Sequence, residues 1–186
     1  MARIETIGHN EASGKLKEIY DTLLEQRGKL AEVHTIQSLR PESITQHMDL
    51  YMGIMFSRSE LSRAEREMMA VVVSAANGCP YCQKHHAEAL NHYWKDEHKI
   101  KQIIQEDAPG FLSDRELALC HYARLLTLNP HAHEKHDYTK SLKSVGLKDA
   151  AILDATLVIA YFNFVNRIVL SLGVELEDDD GQGYKY

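Results

Sequence analysis

The 186 residues (21.2 kDa) are 44% hydrophobic and 26% charged, the balance of a soluble globular chain and of one compact domain, and it argues against disorder, a collagen-like repeat or a coiled-coil rod. Lys and Arg number 21 against 27 Asp and Glu, for a net charge of −6, and five of the acids (Glu175, Glu177, Asp178, Asp179, Asp180) fall in an acidic C-terminal tail at about 175–186. Without those five the balance is −1, a near-neutral body that lacks the clustered cations needed to hold a nucleic-acid backbone.

The longest apolar runs, Met68 to Ala76 and Ala155 to Phe162, fall short of the ~20 residues that span a bilayer, so no transmembrane helix is expected. The start, Met-Ala-Arg-Ile-Glu-Thr, has no apolar stretch behind its one basic residue and does not read as a secretory signal. A cytoplasmic location is the expectation. Three cysteines (Cys79, Cys82, Cys120) cannot form a disulfide framework, and a close pair in a reducing compartment points to catalysis, redox chemistry or metal binding.

In chain order, the patterns predict helices and no strands. The first runs from about Ser13 to Gln26, with Leu16, Ile19, Tyr20, Leu23 and Leu24 as its apolar stripe and Gly28 ending it. Pro41 opens a second, continued by Ile44, Met48, Tyr51, Met52 and Met55. Ser62 with Glu65, and Ser113 with Glu116, fit the capping box and start two more. Because Met68 to Ala76 is apolar on nearly every face, the helix from Ser62 should be central, with Asn77-Gly78 stopping it. Pro80 allows a helix to about Trp94, Asp96 caps another through Ile104, and Asp107 to Gly110 is a loop. Asn129-Pro130 breaks the helix from Ser113 to Leu128. A segment near Glu134 to Val145 and a long helix from about Lys148 to Leu172 complete an all-α chain of about eight helices. Leu61 to Glu65 echoes Leu112 to Glu116, but two capping boxes resemble each other for local reasons, so no repeat is inferred. One domain over residues 1–186 is expected, its core motif at about 61–94.

The chemistry concentrates in Glu67 and in the stretch from Gly78 to His86, which holds Cys79-Pro80-Tyr81-Cys82. At about 100° per residue, Cys82 lies about −60° and His86 about −20° from Cys79, which places both thiols and His86 on one helix face and His85 about 120° away. His86 is then the imidazole placed to take a thiol proton. Both cysteines fall in the first turn, where backbone N–H groups and the helix dipole favour a thiolate, so the Cys82 thiolate should form below the reference value of about 8.5. Glu67 belongs to the central helix and needs a partner if buried, an imidazole such as His86 being the useful one. Facing water at an early helical position is the alternative, and spacing does not decide between them.

Glu67, the CxxC pair Cys79/Cys82 and His86 together resemble the signature of alkyl hydroperoxidase D (AhpD) within the carboxymuconolactone decarboxylase superfamily. The likeness is strongest to its longer, peroxidase-related branch, through Ser74-Ala75-Ala76-Asn77 before the cysteines and His86-Ala87 after them. The resemblance implies an AhpD-like helical fold, a homo-oligomer (dimer, trimer or hexamer), and thiol peroxidase activity with no metal, haem or other cofactor. It also implies the roles: Cys82 attacks peroxide, Cys79 resolves, His86 and Glu67 handle the proton, and a dithiol of thioredoxin-like or lipoyl type reduces the product. Some AhpD proteins carry a second histidine between the cysteines, where this chain has Tyr81. A phenol with a reference pKa near about 10 donates a hydrogen bond but does not serve as a base near neutrality, so Tyr81 is a supporting residue.

Other side chains read more plainly. The CxxC pair is half of a zinc site at most, and Cys120-His121 is its only evident complement. His131, His133 and His136 fall in a loop-like stretch where solvated histidines are the ordinary case. Cys120, among Leu117, Leu119 and Leu125, reads as a small buried hydrophobe. Asn163, Asn166 and Arg167 share a helix face at i, i+3 and i+4, either near the site or bound to neighbouring backbone. The function expected is thiol-dependent reduction of hydroperoxides. A disulfide reductase that recharges another peroxidase, and a non-redox decarboxylase-like or binding protein, are the alternatives.

Overall fold

The computed structural model describes residues 2–177, which form α1 (Gly14–Arg27), α2 (Glu32–Thr35), α3 (Pro41–Phe56), α4 (Arg63–Ala76), α5 (Pro80–Trp94), α6 (Glu97–Gln105), α7 (Asp114–Leu128), α8 (Thr139–Ser144) and α9 (Asp149–Leu172). No strand occurs among the described residues, as the sequence predicts. The ninth helix is α2, one turn without amphipathic periodicity. The segment expected near Glu134 to Val145 divides into a 3-10 turn, Pro130–Glu134, and α8. Of the acidic tail, residues 178–186 lie outside the described chain.

The central helix is α4. From Arg66 to Ser74 every residue is buried, because α5, α7 and α9 surround it and α6 and α3 close the remaining sides. Its start is fixed locally by the predicted capping box: the Glu65 N–H donates to Ser62 Oγ (3.1 Å) and the Ser62 N–H to Glu65 Oε2 (2.7 Å). The same motif opens α7, where Glu116 accepts from the Ser113 N–H at 2.9 Å. Two arginines at the start of α4 reach the open end of α3. Arg66 donates to the Ile54 and Ser57 carbonyls (3.0 and 2.9 Å) and Arg63 to the Met55 carbonyl (2.7 Å). These bonds satisfy carbonyls that a helix C-terminus leaves without intrahelical donors.

α4 turns into α5 at Asn77-Gly78. Gly78 adopts φ +62°, a left-handed conformation that costs a side-chain-bearing residue, and the Cys79 N–H folds back onto the Ser74 carbonyl at 2.9 Å. Side chains of α9 hold this turn in place. Asn77 Nδ2 donates to Asn163 Oδ1 (3.1 Å) and Asn166 Oδ1 (3.3 Å), while Arg167 donates to the Asn163 carbonyl (2.7 Å) and its Oδ1 (2.8 Å). The three polar residues of α9 therefore brace the turn that carries Cys79.

The short uninterrupted apolar runs of the sequence understate one helix. α9 is 24 residues long with a most-apolar window of mean hydropathy 1.5, a length and composition that would span a bilayer; isolated polar residues break its apolar run without lowering the average. In this fold it is a core helix. Ala155, Val158, Ile159 and Phe162 are buried on the side packed against α4 and α7, and Leu153, Leu157 and Phe164 remain exposed.

Removing the α4 cap with Ser62→Ala should cost about 1 kcal/mol. Urea unfolding should show this as a lower midpoint at unchanged slope, and an unchanged midpoint would mean that packing alone holds the first turn.

Candidate functional site

Glu67 is fully buried, which decides the question the sequence leaves open. Its Oε1 lies 2.8 Å from Arg63 Nη2, one turn earlier on α4, and its Oε2 lies 2.8 Å from His86 Nδ1 on α5. Arg63 is itself seated over the Phe56 ring, 3.8 Å from its centroid. A carboxylate accepts only, so the neutral His86 ring carries its hydrogen on Nδ1 and keeps Nε2 as its basic nitrogen. The Phe162 ring lies edge-on to His86 at 4.3 Å.

Both thiols are free and buried, with sulfurs 2.8 Å apart. Cys79 caps α5 with φ −99° and ψ 95°, outside helical geometry, and Cys82 is the third helical residue. The helical-face reading therefore fails at Cys79. Cys82 lines a cavity of about 90 Å³ together with both His86 and His85. Cys79 faces a different groove, between Arg3 and the segment after α9.

The thiols titrate as a pair because two negative charges this close are disfavoured. In the geometry described, the hydrogen bond between the two thiols lowers Cys79, while that same bond, then burial, pushes Cys82 up. No hydrogen bond joins His86 to Cys82 among the described residues, and the depression expected at Cys82 falls on Cys79 instead. The first thiolate of the pair forms more readily than an isolated thiol would allow.

The structure adds groups that the sequence reading missed. Glu177 is no part of a solvated tail. It accepts from the Tyr81 hydroxyl (2.8 Å) and the Glu32 N–H (2.8 Å), lies 2.9 Å from His85 Nε2, and sits 3.5 Å from Lys29 Nζ. Burial raises its pKa, but the hydrogen bonds from His85, the Glu32 N–H and Tyr81 outweigh that and hold the carboxyl well below its usual range. Tyr81 is thus tied to α2 and the C-terminal stretch, since its oxygen also accepts from the Val33 N–H at 3.2 Å.

His34 and His47 also line the cavity, with Tyr51 and Tyr161. His34 falls in the short α2 that periodicity does not reveal. His47 had a readable signal, a polar residue three positions after Ile44 on the buried stripe of α3. Away from the site, Cys120 is buried and its pKa is pushed up to about 12 by that burial, consistent with a small hydrophobe. His133 packs between the Tyr122 and Tyr138 rings at 5.5 and 4.8 Å. No group of three metal-ligating side chains converges among the described residues.

Residues 41–125 match the model of the carboxymuconolactone decarboxylase family, a span that includes Glu67, both thiols and His86. Over that span, a little under half of the chain, the protein is similar to this family. Its fold is that of an uncharacterized peroxidase-related protein from Ralstonia eutropha JMP134 with the alkylhydroperoxidase AhpD core, with TM-score 0.86, 21% identity, and 97% of this chain and 94% of that one covered. A peroxidase-related protein from Silicibacter sp. TM1040 superimposes with TM-score 0.83 and 23% identity over 100% of both chains. The debrominase Bmp8, in complex with 2,3,4-tribromopyrrole, does so with TM-score 0.79 and 16% identity over 97% of this chain and 96% of its own. The AhpD-like fold therefore serves more than one chemistry, and function has to be argued from this site.

The buried histidines generate a pH dependence. Burial, then His47, Arg27 and His85, push His34 down to about 3, and burial pushes His47 down to about 4. The unfolded chain takes up these protons near the ordinary value of 6.5, so stability is lost as pH falls below that value, by up to about 1.4 kcal/mol per pH unit for each histidine. His47→Gln should flatten the slope between pH 6 and 4.5 by about one proton in urea unfolding. Parallel slopes for the two proteins would show that His47 is charged in the fold.

Proposed function

We propose that the protein is a thiol-dependent hydroperoxide reductase with Cys82 as the attacking sulfur. The observation that carries this reading is that Cys82, and not Cys79, opens onto the cavity that His86 also lines, with Cys79 directly behind it.

The pair gives up one proton, which His86 accepts on Nε2 while Glu67 stabilises the imidazolium through Nδ1. The remaining proton is shared between sulfurs 2.8 Å apart, and its transfer to Cys79 places the negative charge on Cys82. That thiolate attacks the outer peroxide oxygen: an S–O bond forms, the O–O bond breaks, and alcohol or water leaves with the proton held by His86. Cys79 then displaces hydroxide from the sulfenic acid, which departs as water, and a disulfide results. The short reach between the sulfurs favours this step over further oxidation. A dithiol of thioredoxin-like or lipoyl type then reduces the disulfide and completes the cycle.

Stopped-flow mixing of the reduced protein with tert-butyl hydroperoxide, hydrogen peroxide and an oxidised dithiol partner tests this. The expected result is thiol loss to at least one peroxide well above the rate of a free cysteine, slowed by ~10²-fold or more in His86→Ala. Fast reaction with the disulfide partner alone would make the protein a reductase that recharges another enzyme, and no reaction with any oxidant would remove it from the thiol oxidoreductases.

A further inference from the structure

The lining of the cavity that Cys82 faces includes two members of a hydrogen-bond chain whose direction can be assigned. Gln37 Nε2 lies 2.7 Å from the Val33 carbonyl and 2.8 Å from His47 Nδ1. A carbonyl only accepts, which identifies that end of Gln37 as its NH2, and the second hydrogen of the amide goes to His47 Nδ1. Nδ1 is then the acceptor nitrogen of His47, and the neutral ring carries its hydrogen on Nε2. That N–H donates to the Tyr161 hydroxyl at 2.7 Å. Tyr161 Oη is consequently an acceptor in this bond, and its own hydrogen must point elsewhere. No acceptor for it occurs among the described residues, although the side chain is buried and lines the same cavity as Cys82. His34 Nδ1, also buried in this lining, has no hydrogen-bond partner. A buried donor and a buried ring nitrogen without partners are costly unless a ligand completes them.

We propose that Tyr161 is a catalytic residue that donates its O–H to the inner, departing oxygen of the peroxide, with Gln37 and His47 as positioning residues that fix the direction of the donor. The proposal rests on the peroxidase reading and adds to it a donor for the departing alkoxide, which needs stabilisation. At about 90 Å³ the cavity is smaller than the ~150 Å³ space that admits benzene, which favours a short branched alkyl group over a long chain. Burial raises the Tyr161 pKa well above its ordinary value, with Tyr51, Cys82 and Glu67 adding to the effect, so the phenol keeps its proton to donate. As the Cys82–oxygen bond forms and the O–O bond breaks, the electron pair collects on the inner oxygen within reach of Tyr161. The proton that neutralises this oxygen is the one His86 has taken from the thiol pair, so thiol plus hydroperoxide gives sulfenic acid plus alcohol with no proton gained or lost.

A donor to a departing oxygen matters most when the leaving group is poor. Tyr161→Phe removes only the hydroxyl, and its thiol oxidation should be measured with tert-butyl hydroperoxide, which expels an alkoxide, and with peracetic acid, which expels the far more stable acetate. The expected result is a ~10²-fold loss with tert-butyl hydroperoxide and a loss within about threefold with peracetic acid. Gln37→Leu, which releases the tautomer of His47, should show the same selectivity at smaller amplitude. Equal losses with both oxidants in Tyr161→Phe would reduce Tyr161 to a packing role and overturn the proposal, as would an unchanged rate with tert-butyl hydroperoxide. Failure of the peroxidase reading itself is distinguishable, because the wild-type protein would then react with neither oxidant faster than free cysteine.

Discussion

The arrangement depends on one buried carboxylate. Glu67 is fully enclosed on α4, and an ionised group there is tolerable because one oxygen forms an ion pair with Arg63 and the other a hydrogen bond with His86, each at 2.8 Å. Arg63 in turn holds the Met55 carbonyl at the end of α3. One ionic node therefore joins the end of α3, the start of α4 and the middle of α5, and the same contacts orient an imidazole that lines the cavity with Cys82. Structural and chemical demands meet at Glu67 and are met by the same bonds.

Around this node the cavity is asymmetric. Its thiol side has a single sulfur, Cys82, and a basic nitrogen on a ring backed by a carboxylate. Its lining also has neutral imidazoles and protonated phenols, His47 and Tyr161 among them, with Gln37 bonded behind His47. A proton acceptor and an oriented donor lining one cavity suit a reaction in which a thiol loses a proton and an oxygen atom acquires negative charge. Glu177, drawn in from the C-terminal stretch onto Tyr81 and His85, joins α2 to α5 and gives Tyr81 a role unlike that of a relay histidine.

Much of this was legible in the sequence because it is local. Capping boxes at Ser62 and Ser113, the stop at Asn77-Gly78 and the proline start of α5 are each set by a few adjacent residues, and the apolar run of α4 announced its central place. The chemistry of Glu67, Cys82 and His86 could be proposed from residue types and spacing. The failures share a different cause. Cys79 was placed by helical angles although its backbone leaves the helix, so the two thiols face different spaces. Glu177 was counted among clustered acids, yet its partners lie 92 and 96 residues away at His85 and Tyr81. The bond between His47 and Tyr161 spans 114 residues, and no periodicity within either helix announces it.

The central claim is that the sulfur facing the cavity reacts with peroxide and the one behind it resolves. It is tested most directly by mass spectrometry of Cys79→Ser and Cys82→Ser after one equivalent of tert-butyl hydroperoxide, with a sulfenic-acid trap present. Cys79→Ser should consume about one equivalent and carry the trapped oxidation on Cys82, because no thiol remains beside it to condense. Cys82→Ser should consume almost none. Oxidation of Cys79 in the Cys82→Ser protein, with none on Cys82 in the other, would contradict the account and reverse the two roles.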